Sequence, residues 1–430
     1  MDPGTPASGV LDLLTRLVDS SLVFVTEQGG AARYRRLETV RQYALEKLRA
    51  SGESGDVQRR HAAYYLAHVK AVGQYDRESK QWIASELDNA RAALRWSLES
   101  GEAELAAHLA EALAWFWYLH GYWHEGRNWH HQVSALLAGA PHTAVHEQIM
   151  FSEGHIAQYQ GDVVTARVLM EQSVALCRQL GDREGMLRPL HDLARLAREA
   201  GDFARARELF GEVLALAGEV NALHSRGYAQ IGLGLVAVIE EDVREATMWF
   251  TAALATAQDL DSPRGIAWAL NDLAYVAQLE GHYARAAELH EQSLPLFAET
   301  DRQGVAWAHA GWGEAALAAG DTFAARFHFG ESLRIFGELG DSAIIWSLAG
   351  LASVAVLHDD AELAARLWGA EEALRERTHR RPAPVARSSY ERALGLARAG
   401  LGQAAFDAAW SAGRRLSLEQ VVALAAEVIA

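Results

Sequence analysis

Leu193-Ala194-Arg195-Leu196-Ala197-Arg198-Glu199-Ala200-Gly201-Asp202-Phe203-Ala204-Arg205-Ala206-Arg207-Glu208-Leu209-Phe210 decides the fold, because its small residues and its turn return at a fixed period. Ala206 stands in a column with Ala166, Ala246, Ala286, Ala325 and Ala364, at steps of 40, 40, 40, 39 and 39 residues along the chain. Ala194 stands in a second column with Gly154, Gly234, Ala274, Gly313 and Ala352. Ala197 stands in a third with Ala157, Ala237, Ala277, Ala316 and Ala355. The turn Gly201-Asp202 has counterparts in Gly161-Asp162, Gly281-His282 and Gly320-Asp321, with Glu241-Asp242 standing in once. A fixed period of this length means stacked units, each too small to bury its own apolar face. Small residues in register let paired helices cross closely.

Within one unit, Leu193-Ala194, Ala197, Gly201, Ala206 and Phe210 resemble the tetratricopeptide (TPR) pattern of two helices around a glycine turn. Its aromatic column reads Met170, Phe210, Phe250, His290, Phe329 and Trp368. The usual TPR period is about 34 residues, so each unit carries roughly five or six more, expected in the second helix and its closing turn. Ala114, Gly121 and Gly126 keep the register, which places a degenerate seventh unit from Glu102. The fold class predicted is all-α, a TPR-like α-solenoid superhelix with a small N-terminal winged-helix remnant bearing one β-hairpin.

That remnant follows other rules. Val10 to Val18 has helical apolar spacing, Ser21 to Thr26 reads as a strand, Glu27-Gln28-Gly29-Gly30 as a hairpin turn and Arg33 to Leu37 as the return strand. Glu38 to Ala50 is a predicted helix ended by Ser51-Gly52. The expected organisation is a partial winged helix over 1–55, a helical linker over 56–101, repeats over 102–377 and capping helices over 378–430. In the tail, Arg380 to Pro384 is an expected loop because proline restricts its neighbours. Tyr390 to Arg398, Gln403 to Ala412 and Ser417 to Ile429 are expected helices, the last capped by Ser417.

Blocks at both ends carry a second resemblance. Leu17-Val18-Asp19-Ser20-Ser21-Leu22-Val23, Tyr34-Arg35-Arg36-Leu37-Glu38-Thr39-Val40-Arg41-Gln42-Tyr43-Ala44 and Arg59-Arg60-His61-Ala62-Ala63-Tyr64-Tyr65 lie near the start. Trp368-Gly369-Ala370-Glu371-Glu372-Ala373-Leu374-Arg375 and Phe406-Asp407-Ala408-Ala409-Trp410 lie near the end. They resemble the winged-helix and TPR region of bacterial STAND-type regulators, the AfsR-like and large LuxR-like ATP-binding transcription regulators. The resemblance implies a regulatory or sensor arm. In that family an upstream NTPase switches state, and the winged helix packs between that core and the repeats. No signal peptide or membrane span is visible in the sequence, so a cytoplasmic location is expected. No Gly-x-x-x-x-Gly-Lys-Ser/Thr loop occurs; the lysines are Lys47, Lys70 and Lys80, and none follows a glycine. ATP binding is therefore not expected of this chain. The chain looks like the C-terminal regulatory part of such a protein, as a fragment or as a stand-alone descendant.

Other chemistries find little support. The net charge of −16 argues for solubility rather than a basic nucleic-acid face. The one cysteine, Cys177, excludes an internal disulfide framework and reads as a core residue. His120, His124, His130 and His131 cluster, but a zincin helix would need histidine where Asn128 stands. His130 falls in the aromatic column as a packing residue. No Gly-x-Ser-x-Gly motif occurs. An enzyme, a metal site and a cofactor are not expected.

A ligand would lie along the first helix of each pair. Register puts Gln148, Arg188, Tyr228, Trp268, Trp307 and Trp346 in one column, and Phe151, His191, Ile231, Asn271, Ala310 and Ala349 in a second. His155, Arg195, Leu235, Tyr275, Glu314 and Ser353 make a third. The candidate site is Arg188, His191, Arg195, Tyr228, Trp268, Asn271 and Tyr275, with His155. Arginine would grip a carboxylate and the aromatics would supply area. Trp307 and Trp346 are expected to pack between units. The expected partner is a protein, a peptide or a small-molecule effector, with no membrane and no nucleic acid bound by this chain alone. Two other readings stay open: a stand-alone TPR scaffold or peptide-signal receptor, and DNA binding through Arg33, Arg35, Arg36 and Arg41 of the wing.

Overall fold

The computed structural model describes residues 7–28, 31–71, 77–119, 122–139, 143–341, 343–378 and 387–429. The fold is all-α and TPR-like, with twenty-one helices and one two-stranded antiparallel sheet among the described residues. The chain divides into two compact units, Met1–Gly185 and Met186–Ala430.

The first unit opens with α1 (Ala7–Asp19), β1 (Phe24–Gln28), β2 (Ala31–Arg35) and α2 (Glu38–Ala50). β1 starts three residues later than the sequence predicts, and β2 ends two residues earlier. Ser21 adopts a left-handed φ of 56°, and the Leu22 N–H donates to the Leu17 carbonyl at 3.0 Å. The end of α1 thus uses residues that would otherwise extend the strand. Thr26 pairs with Arg33 and Phe24 with Arg35, which leaves Arg36 beyond the ladder. Then follow α3 (Ser54–Ala71), α4 (Arg77–Glu99), α5 (Ala103–Leu119), α6 (Trp123–Leu137), α7 (Ala144–Tyr159) and α8 (Val163–Leu180), each packed on its predecessor. His130 is buried against Trp117 and bonds through Nδ1 with the Gly126 carbonyl at 2.7 Å. Burial lowers its pKa to about 4. His120 and Gly121 lie outside the described residues.

The second unit comprises α9 (Leu187–Ala200), α10 (Phe203–Glu219), α11 (Leu223–Ile239), α12 (Val243–Asp259), α13 (Pro263–Leu279), α14 (Tyr283–Thr300), α15 (Arg302–Ala319), α16 (Thr322–Leu339), α17 (Ile344–Leu357) and α18 (Ala361–Thr378). α19 (Arg387–Leu401), α20 (Gln403–Arg414) and α21 (Leu418–Ile429) complete it. From α9 to α17, first helices have 14 to 18 residues and second helices 17 or 18. First and second helices are thus of similar length.

The columns have distinct physical tasks. At the turn, Gly201 takes a left-handed φ of 85°, which costs nothing without a Cβ. Glu241 holds the same place at φ 63°. The next residue closes the first helix and caps the second. Asp202 N–H donates to the Ala197 carbonyl at 2.9 Å, and the Asp202 carboxylate accepts from the Arg205 N–H at 3.1 Å. Asp162, Asp242 and Asp321 repeat both bonds. The third alanine column thus supplies the carbonyls that end each first helix.

The other columns build the crossings. Ala166, Ala206, Ala246, Ala286, Ala325 and Ala364 have no accessible surface. Phe329 lies over Gly313 of its own pair and Gly350 of the next pair, so a Cβ on either glycine would overlap the ring. Phe250 lies over Gly234, and His290 over Gly311, in the same way. Replacing Ala206 or Ala286 with leucine should overpack a crossing and cost about 1–3 kcal/mol. Urea unfolding checks this; an unchanged midpoint would contradict the packing role of the column.

The tail packs on the last pairs. α21 buries Val421, Leu424, Ala425 and Val428 and contacts α16, α17 and α18. Its entry is a capping box: Gln420 N–H donates to Ser417 Oγ at 3.3 Å, and Ser417 N–H to Gln420 Oε1 at 2.9 Å. α18 and α20 cross at Gly369 and Gly413. A Cβ on Gly369 would overlap the Trp410 carbonyl, and one on Gly413 the Arg366 carbonyl. The expected loop from Arg380 to Pro384 lies outside the described residues.

Candidate ligand groove

In the second unit α9, α11, α13, α15 and α17 touch in succession, whereas the second helices meet one another at most marginally. The first helices therefore form the inner wall and the second helices the outer one. Arg188, His191 and Arg195 stand on α9, Tyr228 on α11, and Trp268, Asn271 and Tyr275 on α13. His155 stands on α7 of the first unit. Its ring lies 5.3 Å from Tyr118 and 5.1 Å from Tyr159, both edge-on, and the Tyr118 hydroxyl donates to that of Tyr159 at 3.0 Å.

Several of these side chains already have partners. Arg195 donates to Glu199 Oε1 at 3.0 Å and lies 3.8 Å from Asp192. Its expected grip on a ligand carboxylate is thus taken up by its own helix. The His191 ring lies 5.7 Å from both Phe210 and Tyr228, and Tyr228 is 57% exposed. Trp268 stands edge-on to Phe297 at 5.1 Å and donates through Nε1 to Asp301 at 3.2 Å. Asp301 also caps α15 and accepts from Arg264 Nε at 2.9 Å. Tyr275 packs partly buried beside Ala237, Phe250 and Val276, and the Asn271 amide oxygen is buried without a hydrogen bond. Trp307 lies 5.3 Å from Phe336 and 6.2 Å from Trp346, between successive units. Arg188 is exposed at the start of α9.

Three charged groups of this wall escaped the sequence reading of the site: Arg198, Asp272 and Glu314. All three are partly exposed, and among the described residues none forms an ion pair within 4 Å or a side-chain hydrogen bond. Burial raises Asp272 to about 7, against the attraction of Arg198. Burial alone raises Glu314 to about 7. Burial also lowers Arg198, while Glu199 and Asp272 act to raise it. Each side chain keeps some accessible surface, while the packed helices around it remove part of its solvation. The signals were present, since Arg198 lies one helical turn beyond Arg195, Asp272 follows Asn271, and Glu314 shares a column with Tyr275. Among the described residues no group of three or more His, Cys, Asp or Glu could hold a metal ion. No described helix is long and apolar enough to cross a membrane.

Comparison with known proteins agrees with this architecture. The tetratricopeptide repeat family model matches residues 148–219 and 225–299, which include every candidate groove residue read from the sequence but not Glu314. The chain is 35% identical over 195 residues to a Mycobacterium tuberculosis protein named "Putative HTH-type transcriptional regulator", covering 42% of this chain and 22% of that protein. The chain therefore spans about a fifth of that relative's length. It is 45% identical over 64 residues to an uncharacterised M. tuberculosis protein, covering 15% of each. Among solved structures it is similar to a Signal Transduction ATPase with Numerous Domains (STAND) protein with a TPR sensor from Pyrococcus horikoshii. The TM-score is 0.50 at 13% identity, over 83% of this chain and 56% of that one. At that identity the likeness concerns the fold alone.

Proposed function

We propose that this chain is a regulatory, partner-binding module of a bacterial transcription regulator of the AfsR-like or large LuxR-like kind. It takes a protein, a peptide or a small effector on the inner wall of its helix pairs. The observation that carries this reading is the wall of the second unit. There Tyr228 is exposed and Trp268 partly exposed on successive first helices, and the first helices also carry Arg198, Asp272 and Glu314, for which no ion pair forms among the described residues. Buried charge without a partner is costly and concentrates at functional sites. The transcriptional part of the proposal is supported by the M. tuberculosis relative and by the helix–hairpin–helix start, read as a winged-helix remnant.

Panning a displayed peptide library on the purified chain tests the groove. Selected peptides should bind at least about tenfold more weakly after Tyr228→Ala or Trp268→Ala. No selected peptide, or binding indifferent to both changes, rejects the reading. Tyr228→Ala should leave the melting temperature near its original value, which separates lost contact from lost fold.

The hairpin is read as an internal joint rather than a DNA reader. Arg33 pairs with Glu86 and donates to the Ser85 carbonyl at 2.8 Å, while Arg41 donates to Glu38 at 2.7 Å. Two of its four cations are thus engaged within the chain. An anisotropy titration with duplex DNA at low salt should show no salt-sensitive binding. Binding that disappears with Arg33→Ala and Arg35→Ala would overturn this assignment.

A further inference from the structure

We infer that Glu86 is a latch: it holds the amino-terminal helix–hairpin–helix segment, α1 to α2, against the helical body of the first unit, and the segment swings free when the latch opens. This rests on the reading of the hairpin as an internal joint and is independent of the groove. None of the described side chains of residues 9–27 and 32–50 is buried. The hydrophobic core of the first unit begins at Ala62, and none of its members comes from this segment. Leu11, Leu17, Phe24, Val25 and Tyr43 are exposed. Burial of apolar surface is the main adhesive between packed elements, and here it is missing. A two-stranded hairpin is marginally stable without such support.

Polar contact takes its place, at one point. Arg33 of β2 reaches α4 with both arms of its fork: Nη1 pairs with the Glu86 carboxylate, and Nη2 donates to the Ser85 carbonyl at 2.8 Å. Among the described residues these are the side-chain hydrogen bonds that join the segment to α3–α8. Arg41, another paired cation of the segment, answers Glu38 on its own helix. The body itself prepares Glu86 for Arg33. The second carboxylate oxygen accepts from the Tyr65 hydroxyl of α3 at 2.9 Å and from the Asn89 amide of α4 at 2.7 Å. Tyr65 is buried, so the carboxylate keeps its aim with or without Arg33. A carboxylate held ready by two donors loses little freedom when a guanidinium docks. An ion pair fully in water would count for little. This one is shielded, with side-chain exposures of 24% for Arg33 and 14% for Glu86, so removing either partner strands the other. The place of the segment therefore depends on one charge pair rather than on packing, as a switchable joint requires.

The test uses the full chain with Cys177→Ala and with donor and acceptor dyes at Glu27→Cys in β1 and Ser100→Cys just beyond α4, two exposed positions. Single-molecule energy transfer should give one narrow population at low salt. Glu86→Gln and Arg33→Gln should each broaden and shift that population, and high salt should do the same without either change. Arg35→Gln is the matched control. It removes the same charge from the same strand, at an exposed side chain with no ion pair among the described residues, and should leave the population in place. Arg33→Gln alters no helix of the body, so it decides the matter if Glu86→Gln lowers the helical melting temperature. An unmoved population in Arg33→Gln, or an equal change in Arg35→Gln, overturns the latch. Neither outcome touches the reading as a joint, which the DNA titration judges separately.

Discussion

Gly413→Ala should destabilise the second unit by about 3 kcal/mol or more, the upper end of what overpacking costs. The added methyl would overlap the Arg366 carbonyl, which belongs to the backbone of α18. No rotamer change relieves a clash with backbone, so α18 and α20 must separate. Separation would also strain the links that tie them: Trp410 Nε1 donates to Glu372 at 2.8 Å, and Arg414 to Glu376 at 2.7 Å. Gly369→Ala should behave alike, because its methyl would overlap the Trp410 carbonyl. Gly395→Ala is the matched control. It lies in α19 with nothing within 4 Å of an added Cβ, and it should gain up to about 1 kcal/mol from helix propensity. Denaturant unfolding of the three variants checks the contrast. Similar effects at Gly413 and Gly395 would mean that α18 and α20 do not cross as described.

Glu314→Gln should do the opposite and stabilise the chain, by an amount that depends on pH. Burial raises the Glu314 carboxyl from its ordinary 4.5 to about 7 in the folded state. Between those values the folded chain holds a proton that the unfolded chain releases, so this group makes stability fall as pH rises. The penalty is absent below about 4.5, grows through the window and is complete above about 7. At about 1.4 kcal/mol per unit of pKa, the shift corresponds to at most about 3 kcal/mol. Glutamine removes the charge and keeps the shape. The variant should match the parent near pH 4.5 and exceed it by about 1–3 kcal/mol at pH 8. A difference independent of pH would show that Glu314 is not desolvated. Asp272, raised to about 7 by burial, should show the same sign over a window that begins lower.

The helix pairs and their joints were legible because they rest on short-range rules. A left-handed residue must end each first helix, a carboxylate can cap the next, and a small residue must stand where two axes cross. Each rule leaves a mark at a fixed offset, and forty-residue repetition multiplies it. Even the exception was visible: Glu241, in the glycine column, keeps the left-handed turn. The hairpin was legible as a type but not in its limits, because the end of α1 and the start of β1 compete for the same residues and only hydrogen bonding settles them.

The candidate groove was legible only as a set of positions. Register gives the residues of the first helices, but not whether a given charge is answered from its own helix, as Arg195 is by Glu199, or left unanswered, as Arg198 is. A local rule names the candidates, and long-range geometry chooses among them, because desolvation and ion pairing depend on what neighbouring helices bring within a few ångströms. For the same reason nothing local distinguishes Gly369 and Gly413 from other glycines within helices, and only the meeting of α18 with α20 gives them their place. The amino-acid sequence by itself determined the repeat, its turns and its buried columns, since these are written in contacts a few residues apart. The tertiary structure alone decided which charges remain unpaired and where backbones touch, since those contacts join residues that are far apart along the chain.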